Sequence, residues 1–233
     1  MNYTDIERQT FKTFLVFSTF VLTTLGLFFN LASSIYRVSQ ISFEENKEIN
    51  FSSLDDLLGT SIWLVDDYYF DAFYDDNPKV EQISIRKDLP NGLLVEVTIS
   101  ESIIYIEDSR EVPKKTSILY KNLYVEKSSE KDTLATLLIE NGPVREGFYE
   151  EVITLIMTLK KYSINLQNIQ IIYDGENMFL KHLDTEVSLG AASDLARKAS
   201  VVGYYISESP CRGEVRLIYS EDGNEIRAIT NCQ

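Results

Sequence analysis

The sequence predicts an α+β protein with an N-terminal transmembrane helix, a small domain of order βααββ, and a second mixed α/β domain with an extended antiparallel sheet. Three observations carry that expectation. Residues 13–36 hold no charged side chain and are apolar on every face. Residues 77–102, NPKVEQISIRKDLPNGLLVEVTISES, form two alternating apolar runs about Leu-Pro-Asn-Gly. The rest of the chain alternates short apolar runs with two stretches at helical spacing.

Taken in order, the charge-free run comes first. At 1.5 Å per residue, about 20 residues cross a hydrocarbon core of about 30 Å. A buried core helix seldom runs this long, and the apolar part of a cleaved signal peptide is usually about 7 to 15 residues. Leu31-Ala32-Ser33-Ser34 resembles a cleavage site, so cleavage is the competing reading to an uncleaved anchor. Arg8 and Lys12 precede the run while Arg37 and Lys47 follow it, and these charges alone do not orient it. A short N-terminus left inside agrees with both cysteines, Cys211 and Cys232, lying in an exported C-terminal part. The expected divisions are a tail over 1–12, a span over 13–36, a first domain over 37–102 and a second over 103–233.

The composition limits partners. With 36 acidic and 22 basic residues the net charge is −14, which argues against nucleic acid and against strongly anionic lipid.

In the first domain, alternation over 36–43 predicts a strand. Ser52, Ser53, Asp55 and Asp56 before Gly59 predict a short helix, and the aromatic-rich stretch 66–74 a second, stopped by Asn77-Pro78. Asp67, Asp71 and Asp75 fall on one solvated face of that helix, with Tyr69, Phe70 and Phe73 on the buried side. A hairpin about Pro90-Asn91-Gly92 pairs Leu89 with Leu93, Ile85 with Val97 and Ile83 with Ile99. It places positive φ at Gly92.

The second domain is expected to hold strands at 103–107, 118–125, 134–139, 169–173, 178–182, 186–189, 214–219 and 225–229. Helices are expected at 150–162 and at 192–205, the latter carrying Arg197 and Lys198. Asp222-Gly223 is a strong hairpin signal between the last two strands. It sets Cys211 and Cys232 about one diagonal step apart, within reach of a disulfide in an exported domain; two buried thiols are the alternative.

Chemistry is sparse. His182 is the only histidine and falls in a strand. One histidine and two distant cysteines do not resemble a zinc set, and no phosphate loop or nucleophile elbow occurs. The residues thus give no catalytic group, no cofactor, no metal and no small-molecule substrate.

GTSIWLVDDYYFDAFYDDNPKVEQISIRKDLPNGLLVEVTISE, residues 59–101, resembles the bacterial cell-division family FtsQ/DivIB. The matching features are Gly59, the apolar run 62–66 ending in an acid, Pro78-Lys79-Val80, Arg86, Leu89-Pro90 and Glu101. VSLGAASDLARKASVVGYYI (187–206) and the closing stretch GEVRLIYSEDGNEIRAI extend the likeness across most of the chain. Ser102 and Ile103 depart from the basic residue and proline that often follow the final Glu. Leu119-Tyr120-Lys121-Asn122-Leu123-Tyr124 stands where an Asp-x-x-Gly turn is common.

The resemblance implies that the first domain is a POTRA domain and that the protein is a non-enzymatic divisome scaffold. By that likeness it is a single-pass inner-membrane protein at the division septum, its N-terminus cytoplasmic and its bulk outside. Its partners would be FtsB/DivIC and FtsL. In the family the edge strand near the C-terminus is the partner site, which maps to Glu225, Ile226, Arg227, Ala228 and Ile229, with Tyr219 and Arg216 beside it. Arg216 and Arg227 would pair with a partner's acids. The rival classes are a surface hydrolase using two carboxylates and a sensor or adhesin ectodomain.

Overall fold

Helix α1 (Tyr3–Ala32) opens the computed structural model, which describes residues 3–43, 48–131, 133–208, 211–220 and 225–232. Its stretch Thr10–Asn30 is long and apolar enough to cross a membrane, and none of it is buried within the protein. The hydroxyls of Thr19, Thr23 and Thr24 donate to carbonyls one turn back, at 2.8, 2.7 and 2.8 Å. Those polar atoms are thereby satisfied inside the helix, as an apolar solvent requires.

The chain divides into two compact units, Met1–Ile99 and Ser100–Gln233. In the first, β1 (Gln40–Phe43) runs parallel to β3 (Gly92–Ile99), which pairs antiparallel with β2 (Val80–Asp88). The order across the sheet is β1-β3-β2. Between β1 and β2 lie two 3₁₀ turns, Ser52–Leu57 and Asp67–Phe70, and helix α2 (Asp71–Asp76). Leu54, Leu57, Ile62, Phe70 and Phe73 from these segments meet Val80, Leu93 and Val95 of the sheet in one core. The buried Asn77 ends α2: its amide donates to Phe73 O at 2.9 Å and Asn50 O at 2.8 Å, and its carbonyl accepts from Asn50 N at 2.6 Å.

Several local expectations are corrected here. The first predicted helix is a 3₁₀ turn, ended by Gly59 at φ +83°. Tyr69 is exposed rather than buried, because only Phe70 and Phe73 of its neighbourhood face the core. The hairpin pairs Ile83 with Val97 and Ile85 with Val95, two residues away from the expected register. A slip of two leaves every side chain on its own face, so the apolar pattern cannot tell the two registers apart. Gly92 faces Asp88 without positive φ. A Cβ there would lie 3.0 Å from Asp88 O, so the glycine serves close approach of the strands.

In the second unit the sheet has nine strands among the described residues. Its order is β12-β11-β10-β9-β8-β7-β4-β5-β6. The strands are β4 (Ser102–Asp108), β5 (Lys115–Tyr120), β6 (Val125–Lys127), β7 (Ala135–Ile139), β8 (Ile169–Tyr173), β9 (Asn177–His182), β10 (Thr185–Ala191), β11 (Gly213–Tyr219) and β12 (Ile226–Cys232). Helix α3 (Phe148–Lys161) links β7 to β8, and α4 (Leu195–Gly203), prolonged by a π-helical turn Tyr204–Glu208, links β10 to β11.

The sheet is therefore mixed, not antiparallel as expected: β4 with β7, β7 with β8, and β10 with β11 are parallel. Between β7 and β8 and between β10 and β11 a helix carries the chain back to its starting end, so the next strand enters in parallel; β7 returns beside β4 after the β5–β6 hairpin. The expected strand 118–125 is also two strands. The chain turns after Tyr120, with Leu123 at φ 70° and Tyr120 N donating to Tyr124 O at 2.8 Å, and β6 folds back on β5.

Both helices lay their apolar stripes on one sheet face. Phe148, Val152, Leu155, Ile156 and Leu159 join Leu195, Ala199 and Val202 over Leu137, Ile171, Leu180, Val187 and Val215. Phe148 is 1% exposed and tilted against Tyr173, with ring centroids 4.9 Å apart. Truncation to alanine leaves a cavity at this seam, and Phe148→Ala is expected to destabilise the second unit by about 3–5 kcal/mol in urea unfolding.

Candidate functional site

The last hairpin sets Tyr219 opposite Ile226, Arg216 opposite Ile229 and Gly213 opposite Cys232. This is the register expected of an Asp222-Gly223 turn; residues 221–224 themselves lie outside the described residues. The strand begins at Ile226 and continues to Cys232, later at both ends than 225–229. Glu225 belongs to the loop closure, where its carbonyl accepts from Ser220 N at 2.9 Å and its own N–H donates to Ser220 Oγ at 3.0 Å.

Alternation divides the hairpin between two faces. Val215 and Leu217 are buried toward the helices, and Ile226 and Ala228 pack on the same core. Arg216 and Arg227 stand on the opposite face, with Ile218, Ile229, Glu214 and Asn231. Because Arg216 faces Ile229 and Arg227 faces Ile218, the two arginines are diagonal neighbours, with Cα atoms about 7–8 Å apart. The expected docking residues thus do not form one patch. Arg216, Arg227 and Ile229 share the open face, whereas Tyr219 lies on the helix side.

That open face extends inward. Ser188 of β10 is beside Arg216, Glu186 is beside Glu214, and Phe179 of β9 is opposite Ser188. With Ile229 and Asn231 they line a shallow groove of about 400 Å³. Nothing in the sequence marked Phe179, Glu186 or Ser188. Their parity within each strand is legible, but the register across the parallel β10–β11 pair is set by helix packing.

Strand β12 is the outermost of its sheet, so the outward N–H and C=O groups of alternate residues have no strand partner among the described residues. Arg227 Nη2 lies 3.5 Å from a Glu225 carboxylate oxygen, and both side chains are about two-thirds exposed. Water screens that pair, so it is weak and open to exchange. Arg216 makes no ion pair among the described residues.

Both ends of the hairpin are fastened. At the C-terminal end Cys211 and Cys232 are disulfide-bonded, with Cα atoms 5.1 Å apart. The buried Cys211 is held by Thr185 Oγ1, which donates to its carbonyl at 2.6 Å. At the other end the Tyr219 hydroxyl donates to Asp194 Oδ2 at 3.1 Å, and Lys198 Nζ lies 5.6 Å from the Tyr219 ring centroid. Burial raises the Tyr219 phenol above its ordinary range, and the hydrogen bond to Asp194 adds to the shift.

Lys198 is only 2% exposed and donates to Ala191 O at 2.6 Å. Burial pushes its ammonium below the usual lysine range, with Asp194 and Glu151 opposing that shift. Glu151 Oε2 also accepts from Leu195 N at 2.8 Å, tying α3 to the start of α4. The predicted helix carried Lys198, but its burial was not legible, since it depends on β11 passing beneath α4.

His182 is half-buried near the end of β9, and burial lowers its pKa. No group of three or more candidate metal ligands occurs among the described residues.

Two outcomes are expected. Removing the bridge with Cys211→Ala/Cys232→Ala, which opens a loop of about 20 residues, should cost about 3 kcal/mol in urea unfolding. The unreduced, denatured wild type should show no free thiol. For Lys198, the folded pKa lies below the unfolded value, so the unfolded chain holds more protons between the two. Stability is then gained as pH rises from the folded pKa toward the ordinary value of 10.5, and is lost as pH falls through the folded pKa. The stability difference between wild type and Lys198→Met should rise with pH across that window, as read by unfolding at a series of pH values. Compared with known proteins, the chain matches no family model and no curated protein.

Proposed function

We propose that the protein is a membrane-anchored, non-enzymatic docking scaffold of the FtsQ/DivIB kind. In this reading α1 anchors it with the N-terminus in the cytoplasm, the first unit is a POTRA domain, and the second unit binds FtsB/DivIC and FtsL at the division septum. The observation that carries the reading is the exposed edge of β12 with Arg216, Arg227 and Ile229 on its open face. A strand added to that edge gains backbone hydrogen bonds, and the arginines select acidic side chains flanking it. On a chain of net charge −14, a basic pair at a sheet edge is a local exception with directional value. The element order of the first unit, strand, a 3₁₀ turn, a second 3₁₀ turn running on into α2, then a hairpin, supports the POTRA assignment.

The hydrolase alternative has one observation in its favour, since Glu186 and Glu214 are neighbours across the β10–β11 pair. Yet Glu186 is ion-paired with Lys181 at 3.3 Å, and the pair lies on an open sheet face in contact with water. General-acid work asks instead for a carboxyl removed from water.

An N-terminal fluorescent fusion is expected to form a band at the division site of its own bacterium; an even membrane signal throughout division would reject the assignment. Arg216→Glu/Arg227→Glu should weaken co-purification of the acidic partner by about 10- to 100-fold while leaving the circular dichroism spectrum unchanged.

A further inference from the structure

Turns at a protein surface ordinarily carry polar residues, and one turn of the first unit does not. Leu64 N donates to Ser61 O at 2.9 Å, closing a turn whose last two residues are Trp63 and Leu64. The flanking Ile62 and Val65 are 0% and 5% exposed and pin the turn to the core. Trp63 and Leu64, held between them, are 43% and 55% exposed. Hydrophobic burial was available to their neighbours and is denied to them by the backbone.

This turn is fastened to the chain that leaves α1. Ile62 N donates to Tyr36 O at 2.8 Å, Arg37 and Ser61 form an isolated β-bridge, and the Tyr36 and Trp63 rings lie 5.6 Å apart. The apolar stretch of α1 ends at Asn30, and a 3₁₀ turn, Ser34–Tyr36, occupies half of the six residues that follow. With rises of 1.5 and about 2 Å in the helical and 3₁₀ parts and about 3.3 Å at the extended Ser33, Tyr36 is at most about 12 Å of chain from the end of that stretch, a reach that includes the headgroup layer. The headgroup layer on each side of a bilayer is about 5–7 Å thick, and Trp and Tyr concentrate there because one end of the ring is apolar and the other hydrogen-bonds to water. Ile35, next to Tyr36 in the 3₁₀ turn, is 61% exposed.

We propose that Tyr36, Trp63 and Leu64, with Ile35, form an interfacial seat by which the first unit rests on the headgroup layer of the membrane that α1 crosses. The inference depends on α1 being an uncleaved span. Its lipid is zwitterionic: Asp66 and Asp67 follow the turn at exposed positions and Asp55 and Asp56 are exposed on the preceding segment, four acids against the single exposed Arg37 beside Tyr36, so an anionic surface repels this side. The acids also limit insertion to the depth of the ring edges. The seat fixes how the unit stands on the bilayer, which a single flexible tether would leave free.

Trp63 is the only tryptophan, so its fluorescence reports the seat without any substitution. The full chain is reconstituted in phosphatidylcholine vesicles containing lipids brominated either near the headgroup end or near the terminus of the acyl chain, and is floated on a sucrose gradient. Expected are flotation with the vesicles, strong loss of Trp63 emission with the shallow bromines, and weak loss with the deep ones. Flotation without loss from either lipid leaves the span standing and overturns the seat; stronger loss from the deep bromines does the same. A chain that fails to float overturns both.

Discussion

The seam between α3, α4 and one face of the nine-stranded sheet is the contact on which the rest of the second unit depends. Gly203 shows how close it is: a Cβ there would stand 2.5 Å from the ring of Tyr162, so that ring, at the end of α3, lies directly on the backbone of α4. Each helix is also a crossover. By seating on the sheet it forces β8 to run beside β7 and β11 to run beside β10, both in parallel. The closing hairpin then adds β12 beside β11, and β12 is the outermost strand among the described residues. Since both helices lie on the same face, the opposite face of β10, β11 and β12 stays open to solvent, and the arginines find themselves there by alternation alone.

Much of this was legible in local pattern. The apolar run of α1, the period of α3, the turn chemistry of Asp222-Gly223 and the alternation of the hairpin in the first unit each place an element from a handful of residues. What was not legible is relational. The hairpin of the first unit could slip by two without moving Ile83 or Val95 off the core face; the register adopted sets Gly92 opposite Asp88 and beside Gln40 of β1. Parallel pairing was hidden for a similar reason, because nothing within 186–189 or 214–219 records which strand lies beside which. The groove residues Phe179, Glu186 and Ser188 are adjacent to Arg216 and Glu214 only once α4 has packed. Lys198 is the sharpest case: a lysine on a helix reads as solvated, and it is buried because a strand from later in the chain passes beneath it.

The electrostatics of the site follow from this packing rather than from composition. Lys198, Asp194, Glu151 and Tyr219 form a partly dehydrated group on the helix side, whereas Arg216 and Arg227 remain in water on the other. Charges in the first group are tied to structure by hydrogen bonds of 2.6 to 3.1 Å that link α3 to α4 and α4 to β11. Those in the second are held loosely or not at all, which leaves their pairing to whatever approaches.

A strand at the edge of a sheet usually frays, since it is bonded on one side only. Here the Cys211–Cys232 bridge closes the end that would open first, and the Tyr219–Asp194 bond restrains the turn end. An incoming segment would therefore meet a template already ordered along its length, and the entropy of strand addition would fall on the visitor alone. Recognition at such an edge discriminates by how readily the partner extends, as much as by which side chains it brings.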